Sequence, residues 1–73
     1  MPANEAETAL VNALGMKCPW PALRAARAMR TARTVLVDAD DPVAPSELSA
    51  LAHQQGWTFA TLGDHRFSLH RGG

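Results

Sequence analysis

Apolar and polar residues alternate along this chain in two kinds of pattern. Short runs of apolar and β-branched residues are typical of strands, whereas apolar residues that recur every three or four positions are typical of amphipathic helices. The first pattern predicts strands at residues 10–14, 34–39, 57–62 and 66–70. The second predicts one helix that opens at Cys18 and runs to about Arg33, and another that starts at about Pro45.

Prolines and glycines mark where these elements begin and end. Pro19 at the first helical position and Pro21 in the first turn fit a helix start, where the amide donors lack partners within the helix. Gly56 predicts the end of the second helix. The Gly-Asp-His segment 63–65 has the length of a hairpin connection, so it is expected to join the last two strands.

The predicted element order is therefore β-α-β-α-β-β. Each strand-helix-strand step favours parallel strands, while a hairpin makes the last pair antiparallel, so the four-stranded sheet is expected to be mixed. Both helices are expected to cover one face of this sheet, which gives a two-layer α/β sandwich. A chain of 73 residues forms a single domain, residues 1–73, of which 1–8 are expected to be a disordered leader.

The charge distribution narrows the class of partner. Seven basic residues balance seven acidic ones, so the net charge does not favour nucleic acid or an anionic membrane. Residues 17–33 nevertheless hold five of the seven cations and no carboxylate, which predicts a local basic surface. The first eight residues lack the pattern of a signal peptide, and no apolar run reaches membrane-spanning length, so a cytoplasmic location is expected.

The only cysteine of the chain, Cys18, stands in a Cys-Pro-Trp-Pro tetrad at the predicted start of the first helix. A helix N-terminus favours a thiolate, and Lys17 and Arg24 add positive charge, so the sequence predicts a lowered pKa and a nucleophilic sulfur. Such a thiolate can take the outer sulfur of another protein's persulfide and hold it as Cys18–S–SH. That chemistry needs neither a metal nor an organic cofactor.

Other residues that often carry chemistry have structural interpretations here. No metal site is predicted, because the three histidines are dispersed along the chain: His53, His65 and His70. Three acidic residues are expected to end the second strand and lead into the second helix: Asp38, Asp40 and Asp41. The terminal Gly72 and Gly73 are interpreted as a frayed end.

Residues 12–21 resemble the N-terminal motif of the TusA/SirA-like (YhhP-like) sulfur-carrier family, in which an Asp, a Gly and a Cys-Pro-x-Pro tetrad occur at this spacing. Residues 39–42 fall where that family has an Asp-Pro turn, and residues 47–48 fall near an Asp-Ile pair of its second helix. The element order and the length agree as well, so the resemblance covers essentially the whole domain.

The resemblance implies a small cytoplasmic carrier that accepts persulfide sulfur from a cysteine desulfurase or a rhodanese-like donor. It would relay this sulfur to an acceptor protein in tRNA thiolation, cofactor synthesis or sulfur metabolism. Cys18 is then the persulfide-bearing residue, and Gly15, Pro19 and Pro21 shape the loop and the helix entrance. The candidate partner-binding residues are Lys17, Trp20, Arg24, Arg27 and Arg30.

Three positions depart from the family pattern, since Asn12 and Glu47 each replace an Asp and Ser46 replaces an Arg. Because of these three departures, the resemblance supports sulfur carriage more strongly than it supports a role in tRNA thiolation. Two alternatives stay open from the sequence. One is a non-catalytic regulatory or protein-interaction module that uses the surface around Trp20, and the other is a thiol redox sensor.

Overall fold

Four strands and two helices make up the computed structural model, which describes residues 8–71. The elements are β1 (Thr8–Ala13), α1 (Trp20–Ala28), β2 (Thr34–Ala39), α2 (Ala44–Gln55), β3 (Trp57–Thr61) and β4 (Arg66–Arg71). The predicted order β-α-β-α-β-β is confirmed. Residues 1–7 of the predicted leader, and Gly72 with Gly73, lie outside the described residues. Thr8 was assigned to that leader, but it is the first residue of β1.

The strands form one mixed sheet in the order β1-β2-β4-β3. β1 and β2 are parallel, as a strand-helix-strand step requires, and their register pairs Ala13 with Ala39 at the C-terminal ends. β4 lies between β2 and β3 and runs antiparallel to both. The mixed four-stranded sheet is therefore confirmed, and the final hairpin inserts its second strand into the centre.

The core lies between the sheet and the two helices. In β2, Val35, Val37 and Ala39 are buried while the alternate residues are partly exposed, so only one face of the strand is fully covered. Phe67 and Leu69 of β4 are buried in the same cluster. The cluster is completed by Ala13 of β1 and by residues of the helices and adjoining turns, which are Ala25, Met29, Ala32, Ala44, Leu48 and Ala52. This one-sided burial confirms the two-layer α/β sandwich.

Helix α1 ends at Ala28, so the predicted helix to about Arg33 is too long. After Ala28 the chain forms tight turns in which the N–H of Arg30 donates to the carbonyl of Arg27 and that of Thr31 donates to Ala28. These turns reverse the chain so that β2 can begin at Thr34. The predicted start is also corrected, because Pro19 is the N-cap and Trp20 is the first helical residue.

β2 spans residues 34–39 as predicted, and the boundaries of the other strands differ from the prediction by no more than two residues. β1 stops at Ala13 because Leu14 enters a turn, where its N–H donates to Oδ1 of Asn12. β3 ends at Thr61 and β4 extends to Arg71. The predicted stop of α2 is confirmed, since Gly56 caps the helix in the left-handed region with φ 77°. Within residues 8–71, neither helix has the length and apolar character needed to cross a membrane.

Candidate functional site around Cys18

Cys18 lies in the loop that joins β1 to α1, and its side chain is exposed. The loop begins with a turn in which the N–H of Met16 donates to the carbonyl of Ala13, and Gly15 adopts φ 80°. A residue with a Cβ is strained at that angle, so glycine suits the position. The N–H of Trp20 then donates to the carbonyl of Lys17, and this bond closes the turn that carries Cys18 into the helix.

Two aspartates of the β2–α2 turn hold this loop. The backbone N–H of Cys18 donates to Oδ2 of Asp41 over 2.7 Å, and the N–H of Gly15 donates to Oδ1 of Asp40 over 2.9 Å. The second oxygen of Asp41 accepts the N–H of Val43, the N-cap of α2. Asp41 therefore fastens the cysteine loop to the beginning of α2. The Cys18–Pro19 peptide bond is cis.

The surroundings of the thiol are acidic rather than basic. Hydrogen bonding with the Glu47 side chain raises the pKa of Cys18, and partial desolvation and the negative charges of Glu47 and Asp41 act in the same direction. The lowered pKa expected from the helix N-terminus, Lys17 and Arg24 is therefore wrong. The prediction failed because the residue that raises the pKa is distant in the sequence. Glu47 belongs to the first turn of α2, and only the tertiary structure brings it to the thiol.

The hydrogen bonds of this loop favour the ionised form of Asp41. Its pKa is lowered by the N–H groups of Cys18 and Val43, and more weakly by the positive charge of Lys17. Hydrogen bonds from backbone N–H groups to an ionised carboxylate are stronger than those to a neutral acceptor. The positive charge of Lys17 thus stabilises the negative charge of Asp41, and the Lys17 side chain is exposed.

The predicted partner-binding residues other than Lys17 lie on α1 and on the turn that follows it. Trp20 is 58% exposed, so it does not serve to cover the sheet. Together with Leu23, Arg24, Arg27 and Arg30 it lines a groove between α1 and β1, which we call the β1 groove. Pro21, in the first turn of α1, is buried. Lys17 does not line the β1 groove.

The model of the sulfurtransferase TusA family matches residues 9–70. This chain belongs to the TusA family. The matched segment includes the cysteine loop, both helices and the β2–α2 turn that holds Cys18, so the resemblance found in the sequence is confirmed at the level of the family. No curated protein matches the chain.

Three further positions singled out in the sequence, Asn12, Ser46 and Glu47, each make a local interaction in this TusA-family chain. Asn12 accepts the N–H of Leu14, so the amide provides an acceptor at this turn. The hydroxyl of Ser46 donates to the carbonyl of Val43 within the first turn of α2. Glu47 retains a carboxylate and directs it to the thiol.

The sequence did not identify Asp41 or Glu47 as partners of Cys18 in this TusA-family chain. Asp40 and Asp41 were interpreted as residues that end β2 and lead into α2, which Asp41 does through Val43. A signal for their second role was present, because loops that follow neighbouring parallel strands meet at the same edge of a sheet. Among residues 8–71, no group of three histidine, cysteine or acidic side chains is arranged to hold a metal ion.

Proposed function

We propose that the protein is a sulfur carrier that holds transferable sulfur on Cys18 as a persulfide. The observation that carries this proposal is an exposed cysteine, fastened through its backbone to Asp41, in a chain of the TusA family. The backbone tether fixes the loop while leaving the sulfur free to meet another protein. A carrier needs this combination, because its sulfur must reach the active sites of two different partners.

The loading step exchanges one sulfur–sulfur bond for another. The Cys18 thiolate attacks the outer sulfur of a donor persulfide, the bond between the two donor sulfurs breaks, and a new bond forms on Cys18. The donor cysteine leaves as a thiolate and takes up the proton that Cys18 gave up. The product is Cys18–S–SH, and the step needs no external oxidant, metal or organic cofactor.

Glu47 favours the protonated form of the thiol. Hydrogen bonding with its side chain raises the pKa of Cys18, so the thiolate that attacks the donor is the minor form. A thiol of raised pKa is ionised less often, but its thiolate is the stronger nucleophile. The exchange therefore draws on a smaller population of a more reactive thiolate.

The donor in this proposal is a cysteine desulfurase or a rhodanese-like protein, and the acceptor is a downstream protein of tRNA thiolation, cofactor synthesis or sulfur metabolism in the cytoplasm. Trp20 supplies an exposed indole beside Cys18, and Arg24 supplies a cation one turn along the helix. Aromatic and arginine side chains are the residues that most often dominate protein interfaces. They support docking of a protein partner next to the thiol.

The test is loading of the purified protein by a cysteine desulfurase with free cysteine, followed by intact mass spectrometry. The expected result is one added sulfur atom that disappears on reduction. Cys18→Ser should remain unloaded, since the chain has no other cysteine. An equal adduct on Cys18→Ser, or no adduct on the wild-type protein with either a desulfurase or a rhodanese-like donor, would overturn the proposal.

The same preparation separates the two alternatives. An interaction module would bind partners with equal affinity in the wild type and in Cys18→Ser, and it would take up no sulfur. A redox sensor would form sulfenic acid or an intermolecular disulfide with dilute peroxide. Formation of sulfenic acid in preference to the persulfide would favour the sensor role.

A further inference from the structure

The β1 groove runs along the outer edge of the sheet and has a volume of about 860 Å³. Leu10, Val11 and Asn12 of β1 form one wall. The other wall is α1 and the turn that follows it, from Trp20 to Thr31. The groove is therefore bounded on one side by the backbone of a strand and on the other by helical side chains.

β1 is an edge strand, and its outer side is open within the described residues. It pairs only with β2, and no other backbone bond between residues 8 and 71 uses its outer N–H and C=O groups, apart from the turn at Ala13. Edge strands are usually protected by charged residues or proline. The sequence Thr-Ala-Leu-Val-Asn-Ala of β1 contains neither, so this edge can accept a further strand.

The walls of the groove combine apolar anchors with positive charge. Leu10 is 72% exposed and Leu23 is 52% exposed, and both line the groove together with the exposed Trp20. The groove also contains three arginines and no carboxylate: Arg24, Arg27 and Arg30. None of the three forms an ion pair with a carboxylate in residues 8–71. An occupant that fits must supply apolar side chains and negative charge together.

We propose that the β1 groove binds an extended acidic segment of a partner protein, which adds to the sheet as a strand beside β1. The backbone of the segment pairs with the free edge, its apolar residues cover Trp20 and Leu23, and its carboxylates meet the arginines. A second copy of this chain does not fit, because pairing β1 with β1 brings two sets of arginines together. Nucleic acid lacks the backbone amides that such an edge pairs with, and the arginines are not interleaved with a row of aromatic residues.

This inference does not depend on sulfur chemistry, so it is tested in Cys18→Ser as well as in the wild type. The probe is a fluorescein-labelled heptapeptide of sequence Glu-Thr-Glu-Thr-Leu-Thr-Leu. A second peptide has the same residues in reverse order. Titrations at low salt should give saturable binding of one of them. Amide signals of β1 and α1 should shift in the NMR spectrum of the labelled protein, and those of β3 should not.

Matched variants and modified peptides test each part of the proposal. Arg27→Glu should weaken binding by at least about tenfold, since like charges then face each other, whereas Arg33→Glu should change it by less than about twofold because Arg33 lies outside the groove. N-methylation of one alternate set of peptide amides should abolish binding, while methylation of the other set should be tolerated.

Three results would overturn the proposal. One is the absence of saturable binding of either peptide to a protein whose circular dichroism is native. Another is equal binding of both N-methylated peptides, because strand addition requires one set of amides. The third is tighter binding of a single-stranded oligonucleotide in the same groove, which would assign the arginines to phosphate. Loss of sulfur loading with retained peptide binding would count against the proposed function alone.

Discussion

The backbone N–H of Cys18 donates a 2.7 Å hydrogen bond to Oδ2 of Asp41, which is 23 residues further along the chain. The other oxygen of the same carboxylate accepts the N–H of Val43 at the start of α2. One side chain thus connects the reactive loop to the second helix. The position of the thiol is set by the β2–α2 turn as well as by the helix that follows it.

Replacing Asp41 should release the cysteine loop. In Asp41→Ala the amides of Cys18 and Val43 lose their acceptor, so their hydrogen exchange should accelerate by roughly tenfold or more. NMR exchange on the labelled protein measures this directly. Asp64→Ala is the control, because Asp64 is an exposed residue of the β3–β4 connection and has no hydrogen bond to the loop among the described residues. Unchanged exchange of the Cys18 amide in Asp41→Ala would contradict the tether.

Replacing Glu47 should make the thiol ionise more readily. Glu47→Gln removes the negative charge and the carboxylate acceptor that raise the pKa of Cys18, so the pH profile of alkylation should move to lower pH. Iodoacetamide rates measured against pH report the midpoint. Glu47→Asp, which keeps a carboxylate at this position, should stay closer to the wild type. A midpoint that does not move in Glu47→Gln would show that the carboxylate does not control the thiol.

Acid should destabilise the protein through two carboxylates. The bond from Arg66 lowers the pKa of Asp38, and backbone donors lower that of Asp41, so both bind protons more readily in the unfolded chain. Their contribution to stability is complete above the unfolded pKa of about 4 and is lost as the pH falls through the lower folded values. Thermal melting between neutral and acidic pH should show this decline.

The variant Asp38→Asn tests the acid response at one site. Its melting temperature should depend less on pH than that of the wild type, because the 2.6 Å bond from Nε of Arg66 then no longer has a titrating partner. Asp64→Asn serves as the matched control and should keep the wild-type slope. An unchanged slope in Asp38→Asn would remove Asp38 from the acid response.

Leu48 should be among the most sensitive positions of the core. Its side chain is fully buried between α2 and the sheet, and Leu48→Ala should cost about 2–5 kcal/mol of unfolding free energy. Urea denaturation measures the loss. Leu62→Ala offers a contrast, since Leu62 is 54% exposed and should change stability by no more than about 0.5 kcal/mol. Equal losses at the two positions would contradict the assigned core.

Local patterns were enough to predict the elements. The β-branched run of β2 and the glycine that ends α2 are read from neighbouring residues, and both are found where they were expected. The end of α1 was not, because Met29 and Ala32 continue the apolar spacing of the helix although they are buried in the turns that follow it. The spacing of apolar residues shows which positions are buried. Buried residues in a turn can therefore have the same spacing as those of a helix.

The sequence alone determined the order of the elements, the two-layer α/β architecture and the place of Cys18 before a helix, since each rests on residues close together in the chain. Only the tertiary structure decided that β4 lies between β2 and β3, and that Asp41 and Glu47 surround the cysteine. The charges that govern the thiol come from another loop and another helix. Their distance from the sulfur depends on the register of the two parallel strands. The residues next to Cys18 in the sequence do not determine that register.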